Sequence, residues 1–287
     1  MKIDLHIHSS VSDGKLSPTQ VVEAASQNKL NIIALSDHDD IAGIDEATQA
    51  SLKHGLKLVS AIELTCASKN DIAKLPRNLA VHILGYNIDS KNENLIKLLA
   101  AHRNAREEKC RFIVKKISDF GYVTEYENIK FRTKKRMRIA DVTEHLRLNF
   151  QDCENRRACI KYLEEDLFNE LRNCDFSICE AINLLHEYGA KSVWAHPYIS
   201  YTDCSTEYLD EASLETLCDY LCESGIDGIE ADYLNFNSVQ KQNLRKIAAE
   251  RNLVTTVGSD FHGGEKRNLM ISEDCENWET LRGFLNI

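Results

Sequence analysis

An α/β fold, in which parallel strands close a barrel or stack as an open sheet, is predicted by three observations. Short apolar or alternating runs recur along the chain with helical patterns between them. A histidine, aspartate or glutamate stands near the end of almost every such run. The length of 287 residues suits one large α/β domain, or one domain with an insertion.

The elements follow in order. Ile3 to His8 alternates apolar with polar and reads as a strand. Ser17-Pro18 reads as an N-cap with proline in the first turn, opening a helix that runs to about Asn28. Asn31 to Ser36 is a short buried strand, 40–54 a helix ending before Gly55, Lys57 to Thr65 a third strand and Ala80 to Tyr86 a fourth. The rhythm then changes: 92–119 is a long charged helix, and 121–175 is polar and helical without a clear strand. Alternation resumes with a helix near 177–188 and strand Ser192–Ala195. A helix at 212–224, strand Gly228–Ala231, a helix at 238–250 and strand Val254–Gly258 complete it. Repeated β–α units with short connections imply parallel strands. The stretch from about 95 to 180 is too long for a crossover and reads as a helical insertion, a substrate cap, between barrel segments 1–94 and 181–287.

Composition excludes several classes. A net charge of −10 disfavours a protein that coats nucleic acid in bulk. No apolar run approaches the ~18 residues of a membrane span. The first motif sits at the N-terminus, so a cleaved signal peptide is not expected. Ten cysteines form no CxxC pair in a chain too long for a stapled mini-domain, which favours reduced thiols and a cytoplasmic setting.

The polar residues carry the chemistry. In a strand, i and i+2 share a face, so His6 and His8 aim into one barrel mouth. Barrels of parallel strands collect functional groups at the strands' C-terminal ends. His6, His8, Asp37, His38, Glu63, His196, Asp260 and His262 are placed that way, and His82 lies on the fourth strand. Mixed imidazole and carboxylate ligation suits Zn, Mn or Fe, and Glu63 is able to span two ions.

With these residues in view, the chain resembles the PHP family, named for polymerase and histidinol phosphatase domains. The matching segments are DLHIHS at 4–9, SDHD at 36–39, AIEL at 61–64, VHILGY at 81–86, AHP at 195–197, GIEA at 228–231 and GSDFHG at 258–263. The resemblance implies a distorted (β/α)7 barrel and two or three divalent ions (Mn, Zn or Fe). By position it assigns His6, His8, Glu63 and Asp260 to one ion, and Glu63, His82 and His196 to a second. Asp13, His38 and His262 would form a third, labile site, or supply the proton for the leaving alcohol. The implied reaction is phosphoester hydrolysis. The implied substrate is a small phosphorylated metabolite: a nucleotide, a nucleotide bisphosphate or a sugar phosphate, possibly cyclic.

Residues 130–147 hold seven basic against two acidic side chains, a local positive patch on an acidic chain. Relatives carry a GRPHIA-like segment in the insertion; here KRMRIA keeps its Arg as Arg136 and replaces its His with Arg138. Arg103, Arg106, Arg136 and Arg138 are candidates for a second phosphate or carboxylate site, while Lys134 and Lys135 read as solvated. The His that nucleotide- and oligonucleotide-active relatives often carry some six residues after the GIEA glutamate is absent from 232–237. Reaction class is therefore firmer than substrate.

Other residues have plainer readings. His54, His102, His145 and His186 sit on predicted helices without motif partners, Glu230 reads as structural, and Cys66 as a buried thiol. Asp37 and Asp39 are open between metal contact and orienting His38 or basic neighbours, and Tyr198 and Tyr201 between pocket and packing. The rival functions are a 5′–3′ exonuclease on short oligonucleotides, a metal-stabilised binding domain without catalysis, and carbon–nitrogen hydrolysis.

Overall fold

The computed structural model of the protein describes residues 1–68, 72, 79–131, 137, 139–150, 154–201, 206–263 and 278–287. The first elements are β1 (Ile3–Ile7), α1 (Pro18–Gln27), β2 (Ile32–Leu35), α2 (Ile44–His54), β3 (Lys57–Ala67) and β4 (Ala80–Tyr86). Helices follow: α3 (Glu93–Lys116), α4 (Ile139–Asn149), α5 (Glu154–Tyr162), a π-helical turn (Leu163–Leu167) and α6 (Phe168–Arg172). Then come β5 (Phe176–Ser177), α7 (Ile178–Glu187), β6 (Lys191–Trp194), β7 (Ile199–Tyr201), β8 (Thr206–Tyr208) and α8 (Glu211–Glu223). The chain finishes with β9 (Gly228–Tyr233), α9 (Ser238–Glu250), β10 (Val254–Gly258) and α10 (Trp278–Leu285).

Seven strands form the main path of the sheet in the order β1-β2-β3-β4-β6-β9-β10. The path curls until its two ends meet. There Ile7 bridges Phe261, with Phe261 N–H donating to the His6 carbonyl and His8 N–H to the Phe261 carbonyl. The result is a nearly closed barrel, the distorted (β/α)7 architecture. Helix starts obey local chemistry. Ser17, Ser177 and Asn237 cap α1, α7 and α9, each with a reciprocal bond from a residue three further on.

One feature departs from the repeated parallel unit. β4 runs antiparallel to both β3 and β6. Among the described residues no helix separates β3 from β4 in chain order, and without a crossover the next strand pairs in reverse. The reversal turns the start of β4 toward the mouth, which is why His82 serves from the third position of its strand rather than from its end.

The barrel wall is apolar on both faces. Ile3, Leu5, Ala34, Val59, Leu84 and Val193 pack in one cluster, and Ile62, Leu64, Ile83, Ile182 and Leu185 in another under α7. Each such aliphatic contributes about 1.5–3 kcal/mol on burial. The helices between β4 and β5 have their own cluster, with Ile113, Val114, Val142, Leu146, Leu163 and Leu167 at its centre.

Candidate active site

The mouth is built by loops that continue the sheet's hydrogen bonding past its strand ends. After β2, Asp39 N–H donates to the Glu63 carbonyl at 3.0 Å and Glu63 N–H to the Asp37 carbonyl at 3.2 Å. That stitching sets His38 against Glu63. After β1 the chain folds back on itself, with Gly14 N–H donating to the Ser9 carbonyl. A Cβ on Gly14 would lie 2.5 Å from the His8 carbonyl oxygen, so only glycine lets this turn carry Asp13 over the mouth. Asp39, His196 and Asp260 adopt left-handed backbone with φ of 52°, 31° and 55°. For non-glycine residues this conformation costs free energy and clusters at functional sites.

Three buried carboxylates hold the loops and belong to none of the three ligand groups. Asp37 accepts from Ser9 N–H (2.8 Å), Ser9 Oγ–H (2.7 Å), Ser12 N–H (3.2 Å) and Ser12 Oγ–H (2.6 Å). Asp4 accepts from Ser259 N–H and Oγ–H at 3.0 and 2.6 Å, tying β1 to the loop after β10. Asp39 accepts from Thr65 N–H at 2.9 Å. All three are joists of the mouth.

The nine residues expected to ligate metal converge. His6 Nε2, His8 Nε2 and Glu63 Oε2 lie 3.1–3.2 Å from one another. Asp260 Oδ1 stands 3.7 Å from His6 Nε2 and 3.2 Å from His8 Nε2. On the other oxygen of Glu63, His82 Nδ1 and His196 Nε2 lie at 3.0 and 3.2 Å, and 3.2 Å from each other. A third group joins His8, Asp13, His38 and His262. In it His262 Nε2 is 3.2 Å from Asp13 Oδ1 and His38 Nε2 is 3.9 Å from Asp13 Oδ2. Glu63 faces His38 Nδ1 as well, at 3.2 Å.

This donor set fits divalent ions. Four N or O atoms around an ion at zinc-like bond lengths stand roughly 3.4 Å apart, close to the 3.1–3.7 Å edges of the first group. Glu63 Oε2, His8 Nδ1 and His38 Nδ1 are buried yet make no well-formed hydrogen bond, a cost that a bound cation removes. Three ligand rings anchor their remote nitrogen elsewhere, as ligating histidines do. His6 Nδ1 lies 3.0 Å from Glu230 Oε1, His196 Nδ1 3.4 Å from the Ile199 carbonyl and His262 Nδ1 2.8 Å from the Asp260 carbonyl.

Protons compete for the same sites in the metal-free protein. Burial pulls the His8 imidazole down, but the Asp260 and Glu63 carboxylates outweigh it and push its pKa up to about 10. His6, likewise buried, is raised well above its ordinary value by Glu230 and Glu63. His38 goes the other way: burial dominates and brings it down to about 4. Burial would raise Glu63 and Asp260, yet the surrounding imidazoles hold both well below the usual carboxylate range.

The arginine candidates separate. Arg103 donates to the Asp39 carbonyl at 2.9 Å and sits 3.6 Å from Asp40, beside the His38 loop and half-exposed. Arg106 is buried, 3.3 Å from Asp175. Arg136 and Arg138 lie outside the described residues. Among the helical histidines, His102 stacks on Phe176, His145 meets Thr124 and His186 meets Asp227 at 2.8 Å. Tyr198 is buried against Phe236. Cys66 is a buried thiol, its S–H donating to the Leu64 carbonyl at 3.6 Å.

Sequence reasoning underrated Glu230, which touches two ligands, and passed over Tyr233, whose Oη–H donates to Asp260 Oδ2 at 3.1 Å. Period-2 alternation gave no signal for Tyr233: it stands three residues from Glu230 in β9, an odd spacing that serves the same mouth where the strand's register shifts against β10.

A barrel mouth with imidazole and carboxylate groups sharing a central glutamate defines a metal-dependent hydrolase. Residues 4–169 match the PHP domain family, and the chain belongs to it. It is 30% identical to a 5′–3′ exoribonuclease of Haemophilus influenzae, across 91% of this chain and 90% of that protein. It is 27% identical to a phosphoribosyl 1,2-cyclic phosphate 1,2-diphosphodiesterase of Eggerthella lenta, across 91% and 94%. A Bifidobacterium adolescentis structure assigned as a metal-dependent phosphoesterase superposes with a TM-score of 0.67 at 26% identity, covering 99% of this chain and 95% of that one. The protein is therefore a metal-dependent phosphoric ester hydrolase. No helix among the described residues is long and apolar enough to cross a membrane.

Proposed function

We propose that the chain hydrolyses a phosphoester of a small phosphorylated metabolite, namely a nucleotide, a nucleotide bisphosphate or a sugar phosphate, including a cyclic one. The observation that carries this reading is the convergence of three ligand groups on Glu63 and its neighbours in one mouth. His6, His8, Glu63 and Asp260 would hold one ion, Glu63, His82 and His196 a second, and Asp13, His38 and His262 a third, labile one; Mn, Zn and Fe suit these donors. Bound ions supply an activated water and a Lewis-acid clamp for the phosphoryl oxygens.

The protein's own groups do the rest. Burial of His6, His8, Glu63 and Asp260 excludes bulk water from the reacting centre. His262 Nε2, His38 Nε2 and the Asp13 carboxylate line the more open side, and when the third ion is absent they are the candidates to pass a proton to the departing alcohol oxygen. Arg103 beside the His38 loop supports a second anion-binding role for the helical segment 95–180 as substrate cap. We assign Arg136, Arg138 and Arg106 to the same cap, the last through its hold on Asp175. A cytoplasmic setting accords with the seven free thiols among the described residues.

A second reading, exonucleolytic cleavage of short oligonucleotides, draws on the Haemophilus influenzae relative. Mn-loaded protein assayed on nucleoside bisphosphates, cyclic sugar phosphates and RNA oligomers separates the two. A kcat/KM on oligomers tenfold above that on every small substrate would replace the first reading with the second.

A further inference from the structure

Glu230 is 0% exposed and reaches ligands of two different groups. One carboxylate oxygen lies 3.0 Å from His6 Nδ1, and the other, 3.2 Å from that nitrogen, accepts from the backbone N–H of His196 at 2.8 Å. His6 belongs to the first group and His196 to the second. We propose that Glu230 is the positioning residue for both: it fixes His6 in the tautomer that presents the Nε2 lone pair to the ion, and it pins the left-handed turn that swings His196 onto Glu63.

The space for this carboxylate is made by Gly258. A Cβ there would lie 2.2 Å from Glu230 Oε1 and 2.4 Å from His6 Cβ. Three strands thus converge on one contact: β9 provides the carboxylate, β1 the ring, and β10 the gap. The His196 backbone at φ 31° is strained, and the bond from its N–H to Glu230 offsets that strain. An imidazole carries one proton when it ligates, and a carboxylate at Nδ1 accepts that proton's hydrogen bond while leaving Nε2 free.

The amide of Glu230→Gln makes the sharp test. His196 N–H has no lone pair, so the Gln carbonyl must turn to it. The amide NH2 then faces His6 Nδ1 and favours the opposite tautomer, with Nε2–H pointing at the ion. The inference rests on the metal-site reading above, and wild-type Zn(II) titration against a competing chelator checks that reading first; absence of binding overturns both. Given binding, folded Glu230→Gln should lose 10–100-fold in Zn(II) affinity, and Glu230→Asp should recover part of it. Equal affinity in wild type and Glu230→Gln overturns the proposal. A wild-type measurement decides the matter even where the variants do not fold. Imidazole ¹⁵N–¹H correlation of the zinc-loaded protein should show His6 protonated at Nδ1 and slow to exchange, and a proton on Nε2 overturns it.

Discussion

Removing the Asp37 side chain should cost far more than neutralising it. Asp37 is buried and accepts four hydrogen bonds from Ser9 and Ser12, at 2.6–3.2 Å. In Asp37→Asn the carbonyl oxygen takes the place of Oδ1 and keeps Ser9 N–H, Ser12 N–H and Ser12 Oγ–H. The amide NH2 then faces Ser9 Oγ, whose hydroxyl rotates to accept. The net cost is about 1 kcal/mol: charge assistance is lost at all the bonds that remain, offset in part because a carboxylate charge is no longer buried. In Asp37→Ala the buried Ser9 N–H loses its partner, at about 1–3 kcal/mol, Ser12 N–H keeps the Ser9 carbonyl at 3.2 Å, and the Ser9 hydroxyl loses its acceptor. A total of about 2–4 kcal/mol follows, a large share of the ~5–15 kcal/mol typical of a folded domain. Urea unfolding in excess EDTA, where bound metal cannot mask the difference, reads it directly. Because Ser12 precedes Asp13, Asp37→Ala should also empty the third group before the first, lowering kcat more than Zn(II) affinity at His6 and His8. An Asp37→Ala variant within 1 kcal/mol of wild type, or indistinguishable from Asp37→Asn, would refute the loop-holding role.

Other expectations follow from the same geometry. Glu63→Ala should abolish metal binding at the first and second groups together, since its two oxygens serve one each; a variant retaining one full-affinity ion contradicts the shared role. The His8 imidazole, pushed up to about 10, stabilises the metal-free fold below its unfolded pKa of about 6.5, and that contribution is lost as pH rises through about 10. An incoming ion must displace the His8 proton, so Zn(II) affinity should rise by up to about tenfold per pH unit between roughly pH 6 and 9; chelator competition showing a flat profile would remove this proton from the reaction. Arg106→Gln should lower Tm, because buried Asp175 then keeps the Arg172 guanidinium at 3.1 Å but loses that of Arg106, a cost of about 1.5–3 kcal/mol, whereas Arg103→Gln should raise KM for a phosphorylated substrate with little change in Tm; interchanged outcomes would reverse the two roles. Burial pushes the Cys218 thiol up to about 12 and Cys159 to about 11, so both should resist a thiol reagent at neutral pH that labels exposed Cys179, as peptide mapping after labelling would show.

Much of the mouth was legible in the chain because its signals are local. His6 and His8 share a face by strand periodicity alone, and an acid or histidine after a β run marks a strand end whatever the fold. The seven barrel strands were legible for the same reason. What stayed hidden depends on partners far away in sequence. Glu230 reads as a strand residue until β9, seated between β6 and β10, is carried by barrel closure within reach of β1, 224 positions from His6. Asp4 and Asp37 look like ligands, since acid-histidine runs have the same composition whether the acid faces the ion or the backbone. The direction of β4 was misjudged as parallel. Apolar alternation has no polarity, so only the shortness of the connection 68–79, against the length of a helical crossover, could have disclosed it. His186 shows the converse: without a partner in its own helix, it finds Asp227 across the barrel floor.

The meeting of β1 and β10 has a mechanical consequence. Neighbouring strands such as β2, β3 and β4 share longer ladders, whereas among the described residues this seam carries one backbone bridge, the Asp4–Ser259 side-chain pair and the bond from Lys15 N–H to the His262 carbonyl. His6 and His8 come from one lip of it and Asp260 from the other, so a shared ion acts as a clasp. Chelation should let the barrel gape along that line first, and amide exchange quickening in both lips before the opposite wall would trace the opening.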